Sequence, residues 1–456
     1  MRRIFGAVLL VSSCVVGATP GPVHQGAGTS LGTVLGSAVP GIRHNPASGA
    51  VALRNGQRFR ASILSVVNLS LEAGPVDSFI ERIEDLEGCL DEDQATCRDA
   101  AGNPLLNDRP GIDLDEADRL KIAFDELLVD IGRDAYVIIG AQLQLPSTPM
   151  LFRAFGGVMG VDIHGSGLAN VSVLDDPLRY NPLTETIDTR TAAYLKTARF
   201  INVGLSWSRP VEIPIERVIP GMYTRGDFYL GGRLTLLNGT LAKVIAAIDS
   251  EDDNGDSAFD RAEDAYEDAE ESSTNVALDV GLQWVHEGMQ AGVTLRNINN
   301  PSFDFGAVGV DCDRAGLGMG ARQDCLVAAS FADRIDLRES FEMNPQLTVD
   351  ADIPLGRPDI RLAGSWDLNA ANSPVGDEYQ WLSVGLRYVP SNWLIPGVRV
   401  GYRSNLSGTG IDSFGLGLTL FGYFHLDASQ SSDSVVVDGD KLPRAASVSL
   451  RFEAPL

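Results

Sequence analysis

The sequence predicts an all-β fold: a transmembrane antiparallel β-barrel of about fourteen strands, carrying two acidic helical insertions. Three observations predict it. The chain opens with the pattern of an export signal. No later stretch is apolar for long enough to cross a membrane as a helix. Most of the remaining sequence alternates apolar and polar residues with a period of two.

Arg2 and Arg3 precede an apolar run from Ile4 to Leu10, and Val16, Gly17 and Ala18 offer small residues for cleavage, so residues 1–18 read as a secretory signal peptide. The run Val11-Ser12-Ser13-Cys14 leaves a second route open, in which Cys14 is lipidated and becomes the first mature residue. A spanning helix needs about eighteen or more apolar residues in a row, and nothing after the signal supplies them. The mature chain is therefore expected either to be soluble in the periplasm or to cross the outer membrane as strands, which can satisfy their own backbone hydrogen bonds in lipid once the sheet closes.

Residues 19–56 are rich in Gly, Ala, Ser and Pro and contain Asn45-Pro46-Ala47-Ser48, which favours turns. From Arg58 to Glu72 the period changes. Phe59, Ala61, Ile63, Val67, Leu69 and Leu71 share one face, opposite Arg58, Arg60, Ser62, Asn68, Ser70 and Glu72, as in a long amphipathic strand. Weaker strand candidates follow near 134–145, 150–163 and 167–174. Ala193, Leu195, Ile201, Val203, Leu205 and Trp207 then alternate with Lys196, Asn202 and Ser206. After a weak candidate at 225–238, Val276, Leu278, Val280, Leu282 and Trp284 alternate with Asn275, Asp279 and Gln283, and a turn at 286–288 leads into Met289, Ala291, Val293 and Leu295 as a hairpin. Further strands are expected at 347–353, 360–368, 382–388 and 398–402, weakly at 412–428, and finally at 448–452. Many reach the ten or so residues that a tilted strand needs to cross the hydrocarbon layer, whereas soluble sheets favour about five or six. The competing fold is a periplasmic β-sandwich or propeller, whose strands should be shorter and whose turns should be more evenly spaced.

A net charge of −25 argues against direct binding of nucleic acid, which needs clustered Lys and Arg. Residues 75–133 hold seventeen acids against six bases and residues 239–273 hold twelve against two, so these stretches carry nearly all of the charge. Their period is helical. Leu120, Phe124, Leu127 and Ile131 recur at helix spacing, as do Phe259, Ala262, Tyr266 and Ala269, so each insertion is expected to hold an amphipathic helix whose acids form a solvated face. After export four cysteines remain in two local pairs, Cys89 with Cys97 and Cys312 with Cys325. In an oxidising compartment their even number and short separation favour two loop-closing disulfides over free thiols or metal ligands.

Candidates for chemistry are few. His164-Gly165-Ser166 puts an imidazole and a hydroxyl on one face of a strand, where His could activate Ser as a nucleophile, with Asn170 further along that face. The bland alternative is a polar pair beside small glycines. Asp249, Glu251 and Asp253 lie in a run that loosely resembles a calcium loop. Its register fails, because Asn254 stands where glycine is required and Asp260 where glutamate is required, so a solvated turn before a helix is expected instead. There is no phosphate loop, zinc spacing or nucleotide fingerprint, and no cofactor is expected.

The leader with Asn45-Pro46-Ala47, the strand Arg199-Phe200-Ile201-Asn202-Val203-Gly204-Leu205-Ser206-Trp207, the acidic helical insert before the Ala277 hairpin and the closing strand at 445–452 together resemble the long-chain fatty-acid transporter superfamily of outer-membrane barrels. Within that group the chain looks most like the plasmid-transfer TraF-type barrels. The resemblance implies that residues 19–56 form a hatch, with Asn45, Pro46 and Ala47 inside a barrel of residues 57–456. It also implies a non-enzymatic role in plasmid conjugation or transport at the outer membrane, with membrane lipid and other envelope or conjugation proteins as partners. The runner-up is passage of small hydrophobic compounds. The third reading is a surface lipid hydrolase using His164 and Ser166. Outer-membrane phospholipases are similar in that spacing, but they place an asparagine twelve positions beyond the serine, where this chain has Leu178. Four residues, Glu453 to Leu456, also follow Phe452, where an aromatic normally ends such a barrel.

Overall fold

A computed structural model describes residues 41–53, 57–77, Cys97, Leu105, 114–147, 150–213, 226–248, 258–314, 318–437 and 440–455. The signal peptide with Cys14, residues 19–40 of the leader, Cys89, Asp249, Glu251 and Asp253 lie outside these described residues.

Fourteen antiparallel positions, taken in chain order, close into a barrel. They are β1 (Phe59–Ala73), β2 in two pieces (Tyr136–Ser147 and Met150–Ala154), β3 (Gly157–Leu174), β4 (Ala192–Val211), β5 (Asp227–Ala247), β6 (Glu271–His286) and β7 (Met289–Arg296). The ring continues with β8 (Gln346–Leu355), β9 (Arg357–Asp367), β10 (Trp381–Tyr388), β11 (Gly397–Asn405), β12 (Asp412–Leu420), β13 (Phe424–Ser431) and β14 (Ala445–Pro455). Both pieces of β2 lie between β1 and β3 and so fill one position. Closure comes from β1 against β14, with Leu69 opposite Val448. The ring itself has no edge strand, which is what a bilayer demands of a strand-built span.

The strand total agrees with the sequence reading, but its composition differs at two places. The candidates at 150–163 and 167–174 are largely one continuous strand, β3, because Gly165 and Gly167 stay paired to β2 on one side and β4 on the other. The single candidate at 412–428 is two strands. Phe421 and Gly422 both have positive φ, 54° and 73°, and make a tight hairpin turn inside an unbroken apolar run.

The wall is inverted relative to a soluble protein. On β4, Ile201, Val203 and Leu205 face outward and exposed, while Asn202 and Ser206 between them are buried. On β5, Leu234 and Leu236 are exposed while Arg233 and Thr235 are buried. The same alternation sets exposed Val384, Leu386, Val398 and Val400 beside buried Arg387 and Arg399. Exposed grease and buried charge are stable together only if the outside is lipid and the inside is a polar lumen. Among the described residues no helix is long and apolar enough to cross a membrane. The protein is an outer-membrane β-barrel.

Strands β4 and β5 are the longest, at 20 and 21 residues, and their far ends are apolar on both faces. On the outer face Ala193, Leu195, Ala242, Val244 and Ala246 pack against α3 (Leu114–Asp134) and α4 (Ala258–Ala265). On the inner face Ala192, Ile245 and Ala247 pack against Val327 and Ala328 of α5 (Met319–Ser330). Helices on both sides make these strand ends a sandwich beyond the lipid. Because β5 continues through Gly239 to Ala247, the second helical insertion occupies a shorter span than the expected 239–273. Cys312 is disulfide-bonded to Cys325 of α5, and Cys97 is a buried, disulfide-bonded member of the outer cluster.

The two ends of the barrel differ. Short turns such as 155–156, 287–288 and 421–423 gather at one end, the turn end, together with the start of β1 and the finish of β14. The connections bearing α3, α4 and α5 lie at the other, the loop end.

Candidate functional site in the barrel lumen

Residues 41–53 lie inside the barrel, against the inner faces of β3 to β7, as two short helices, α1 (Gly41–His44) and α2 (Ser48–Ala52), joined by Asn45-Pro46-Ala47. Asn45 closes this turn with its own side chain. Its Oδ1 accepts the Ala47 N–H at 3.0 Å, and its carbonyl accepts the Ser48 N–H at 3.0 Å and hydroxyl at 2.5 Å. Its Nδ2 donates to the Leu282 carbonyl of β6 at 3.1 Å, which ties the turn to the wall.

Three positions of the wall beneath the turn carry no side chain of their own. Gly231 of β5, Gly281 of β6 and Gly292 of β7 all face inward there. A Cβ at these positions would lie 2.4 Å from the Ala47 nitrogen, 2.1 Å from Asn45 Oδ1 and 2.7 Å from Asn45 Nδ2, respectively. Gly231 and Gly281 are direct cross-strand partners. Glycine here permits the close approach of another backbone, one of its specific uses within a sheet.

A buried ion cluster holds the same segment. Asp162, on the inner face of β3, receives Arg43 Nε at 2.9 Å and Arg233 Nη2 at 3.0 and 3.1 Å, and His164 Nδ1 stands 3.0 Å away. Arg296 of β7 donates to the His44 carbonyl at 3.4 Å. Arg60 and Arg153 donate to the carbonyls of Ala52 and Leu53 at 3.2 and 3.3 Å, while the Leu53 side chain packs on Leu151 and Val158. Enclosure holds the His44 imidazole well below its ordinary range, helped by the positive Arg296, Arg43 and Arg233 and by His164, so it is neutral in this seat. Enclosure likewise lowers the Arg43 guanidinium, against the opposing pull of Asp162.

Toward the loop end the lumen turns apolar. Leu168, Phe200, Leu237 and Leu241 of β3 to β5 meet Phe303, Phe305, Phe341 and Met343, which belong to the connection between β7 and β8. Phe200 and Phe303 meet edge to face at 5.1 Å. Lys196 and Lys243 reach Glu339 of the same connection at 2.5 and 3.4 Å, and both ammonium groups lie over the Phe305 ring. Val375, from the β9–β10 connection, inserts into this cluster, and its carbonyl accepts Asn170 Nδ2 of β3 at 2.9 Å. That connection thus crosses the mouth from one wall to the other. Elsewhere the wall neutralises its own charge: Arg361 and Arg387 share Asp352, and Arg399 binds Asp427.

Residues 42–358 match the family described as "F plasmid transfer operon, TraF, protein". The chain belongs to that family. The match spans the segment at 42–53, the first eight strands and the helices α3, α4 and α5. Nothing among the curated proteins matches it. Similar solved structures include a mutant of the monoaromatic hydrocarbon channel TodX, at 9% identity and TM-score 0.36 over 90% of this chain and 92% of that one. The P. putida toluene transporter TodX follows at 10% identity and TM-score 0.29, over 90% and 91%. A Pseudomonas aeruginosa FadL homologue stands at 10% and 0.26, over 96% and 99%. An outer membrane phospholipase A from Escherichia coli stands at 9% and 0.23, over 86% and 92%.

Within this TraF-family barrel, the expected His164–Ser166 pair does lie on one inward strand face, and both residues are buried. No hydrogen bond joins them among the described residues. Asn170, the third group considered, spends its amide on the Val375 carbonyl. The partner that orients His164 is Asp162, two residues upstream, which the sequence reading passed over. A period-two scan of the polar face of β3 would have found it. The glycine floor and Arg233 had a weaker signal, since glycines on separate strands reveal their alignment only once the register is known.

Proposed function

We propose that this TraF-family protein is a gated outer-membrane channel, closed at rest, that serves plasmid transfer across the cell envelope. The observation that carries the reading is the docked 41–53 segment: a turn set on a floor of three glycines and held through Arg43 to Asp162 is a hatch, built to lie in the lumen. Family membership supports the plasmid-transfer setting and partners among envelope proteins. In this reading the short turns face the periplasm and the insertions face outward, the usual arrangement of such barrels. The Asp162–His164 contact belongs to the anchoring of the hatch.

The second reading, passage of small hydrophobic compounds, draws on the apolar cluster of Phe200, Leu237, Phe303 and Val375 at the loop-end mouth, a lining suited to hydrophobic solutes. Deletion separates the two. Plasmid transfer is expected to lose most of its mating frequency while uptake of hydrophobic solutes is unchanged, and the reverse result would move the assignment to uptake. In planar bilayers the purified barrel should conduct poorly. Asp162→Asn, which leaves two guanidinium groups without their carboxylate, should raise the open fraction several-fold. Equal conductance of the two proteins would remove the hatch from the mechanism. Ser166→Ala is expected to change neither transfer nor phospholipid hydrolysis, and loss of a lipase activity would instead install the hydrolase reading.

A further inference from the structure

Opposite β4 and β5, the lipid-facing band is too short. On β13 the outward apolar residues run only from Phe424 through Leu426 to Ala428 before Gln430 and Asp433, and on β14 their partners are Phe452, Leu450 and Val448. Five residues of a strand tilted by about 40° rise roughly 13 Å, about half of the ~25 Å apolar band of a typical barrel. Toward the loop end the sequence is polar, so the missing apolar height can lie only toward the turns.

The turns supply it. The β10–β11 turn exposes Val389, Trp393, Leu394 and Ile395, and the β12–β13 turn exposes Phe421 and Tyr423. Trp393 and Phe421 meet at 6.0 Å, so the two turns form one apolar edge. Neither Val389 to Gly397 nor Leu418 to Phe424 contains a charged residue. This edge runs without a break into the lipid-facing stripe of Val398, Val400, Leu416, Leu420, Phe424 and Leu426. On the opposite wall the outward stripe runs past Leu205 and Leu230 through Trp207 and Phe228, and is followed toward the turn by exposed Arg209 and, in the β6–β7 turn, Glu287. We propose that the β10–β11 and β12–β13 turns are a wedge inserted in the turn-side leaflet and covered by lipid. Aromatic residues at this level suit the interface between headgroups and acyl chains.

The test is nitroxide labelling of the full-length mature protein in phosphatidylcholine vesicles, at Leu394→Cys and Phe421→Cys. Val400→Cys serves as the wall reference and Glu287→Cys, on an opposite turn, as the aqueous one. The wedge predicts that labels at 394 and 421 relax with oxygen as the label at 400 does, several-fold more than with a water-soluble nickel chelate. It also predicts that Trp393→Phe measurably lowers the fluorescence quenching by brominated lipid. Labels at 394 and 421 that follow position 287 while position 400 stays in lipid would overturn the wedge and leave the barrel standing. An aqueous label at 400 would overturn both. Protection of 394 in native envelopes but not in bare vesicles would mean that a protein covers this edge, and would also overturn the proposal.

Discussion

Gly281 shows how much one absent side chain can decide. Its missing Cβ is the space that Asn45 Oδ1 occupies, so Gly281→Ala must push the turn off its floor. Overpacking of this kind costs about 1–3 kcal/mol, and the expected result is faster proteolysis at Arg43 and a larger open fraction in bilayers. Gly232→Ala is the control one residue from Gly231, since its nearest neighbour would stand at 3.8 Å. His44 gives the same seat a pH dependence. Its folded affinity for a proton is lowered, so the undocked segment binds more protons once the pH falls below about 6.5, and docking weakens from there downward. The groups facing it are Arg43 beside it, Arg233 of β5, Arg296 of β7 and His164 of β3. Conductance measured from pH 8 to pH 5 should rise on acidification in the native protein. His44→Gln should flatten that rise, and an unchanged profile in the variant would remove His44 as its source.

Among elements, the connection between β7 and β8 does the most to close the loop end. Phe303 is almost wholly buried against Phe200 and sits over Gly239, where a Cβ would touch its ring at 2.7 Å. Phe303→Ala removes a large buried ring, at a cost of about 3–5 kcal/mol. That cost falls on the loop and not on the strand ladder, so the expected phenotype is earlier cleavage within 297–345 with the barrel itself still intact. Hydrogen exchange measured by peptide should show the change confined to that connection. At this scale the helical spacing of Leu120, Phe124 and Ile131 was legible in the sequence, as was the dyad pattern of β1, β4 and β6. The turn at Phe421-Gly422 was not, because it lies in an apolar run that reads as strand until the backbone reverses.

At the scale of the whole molecule, the closed ring of fourteen positions implies a barrel that survives in detergent until heated. The unheated chain should migrate faster than the boiled one on a gel, and a protein that migrates alike in both states and stays monodisperse without detergent would not have this fold. The charge is divided on the same scale. The acids are concentrated in the insertions, whereas buried Arg233, Arg387 and Arg399 in the lumen each meet a carboxylate. Removing the insertions should therefore shift the isoelectric point far more than it shifts the melting of the wall.

Period-two alternation depends only on neighbours along the chain, because successive side chains on a strand point to opposite faces. For that reason the barrel class, its inverted wall and most of its strands could be read from residues alone. The seat of Asn45, the Arg43–Asp162 pair across 119 residues and the reach of Val375 to Asn170 across 205 belong to the tertiary structure. Such contacts depend on which strands become neighbours and in what register, and a sequence states its own spacing without stating how the ring is closed.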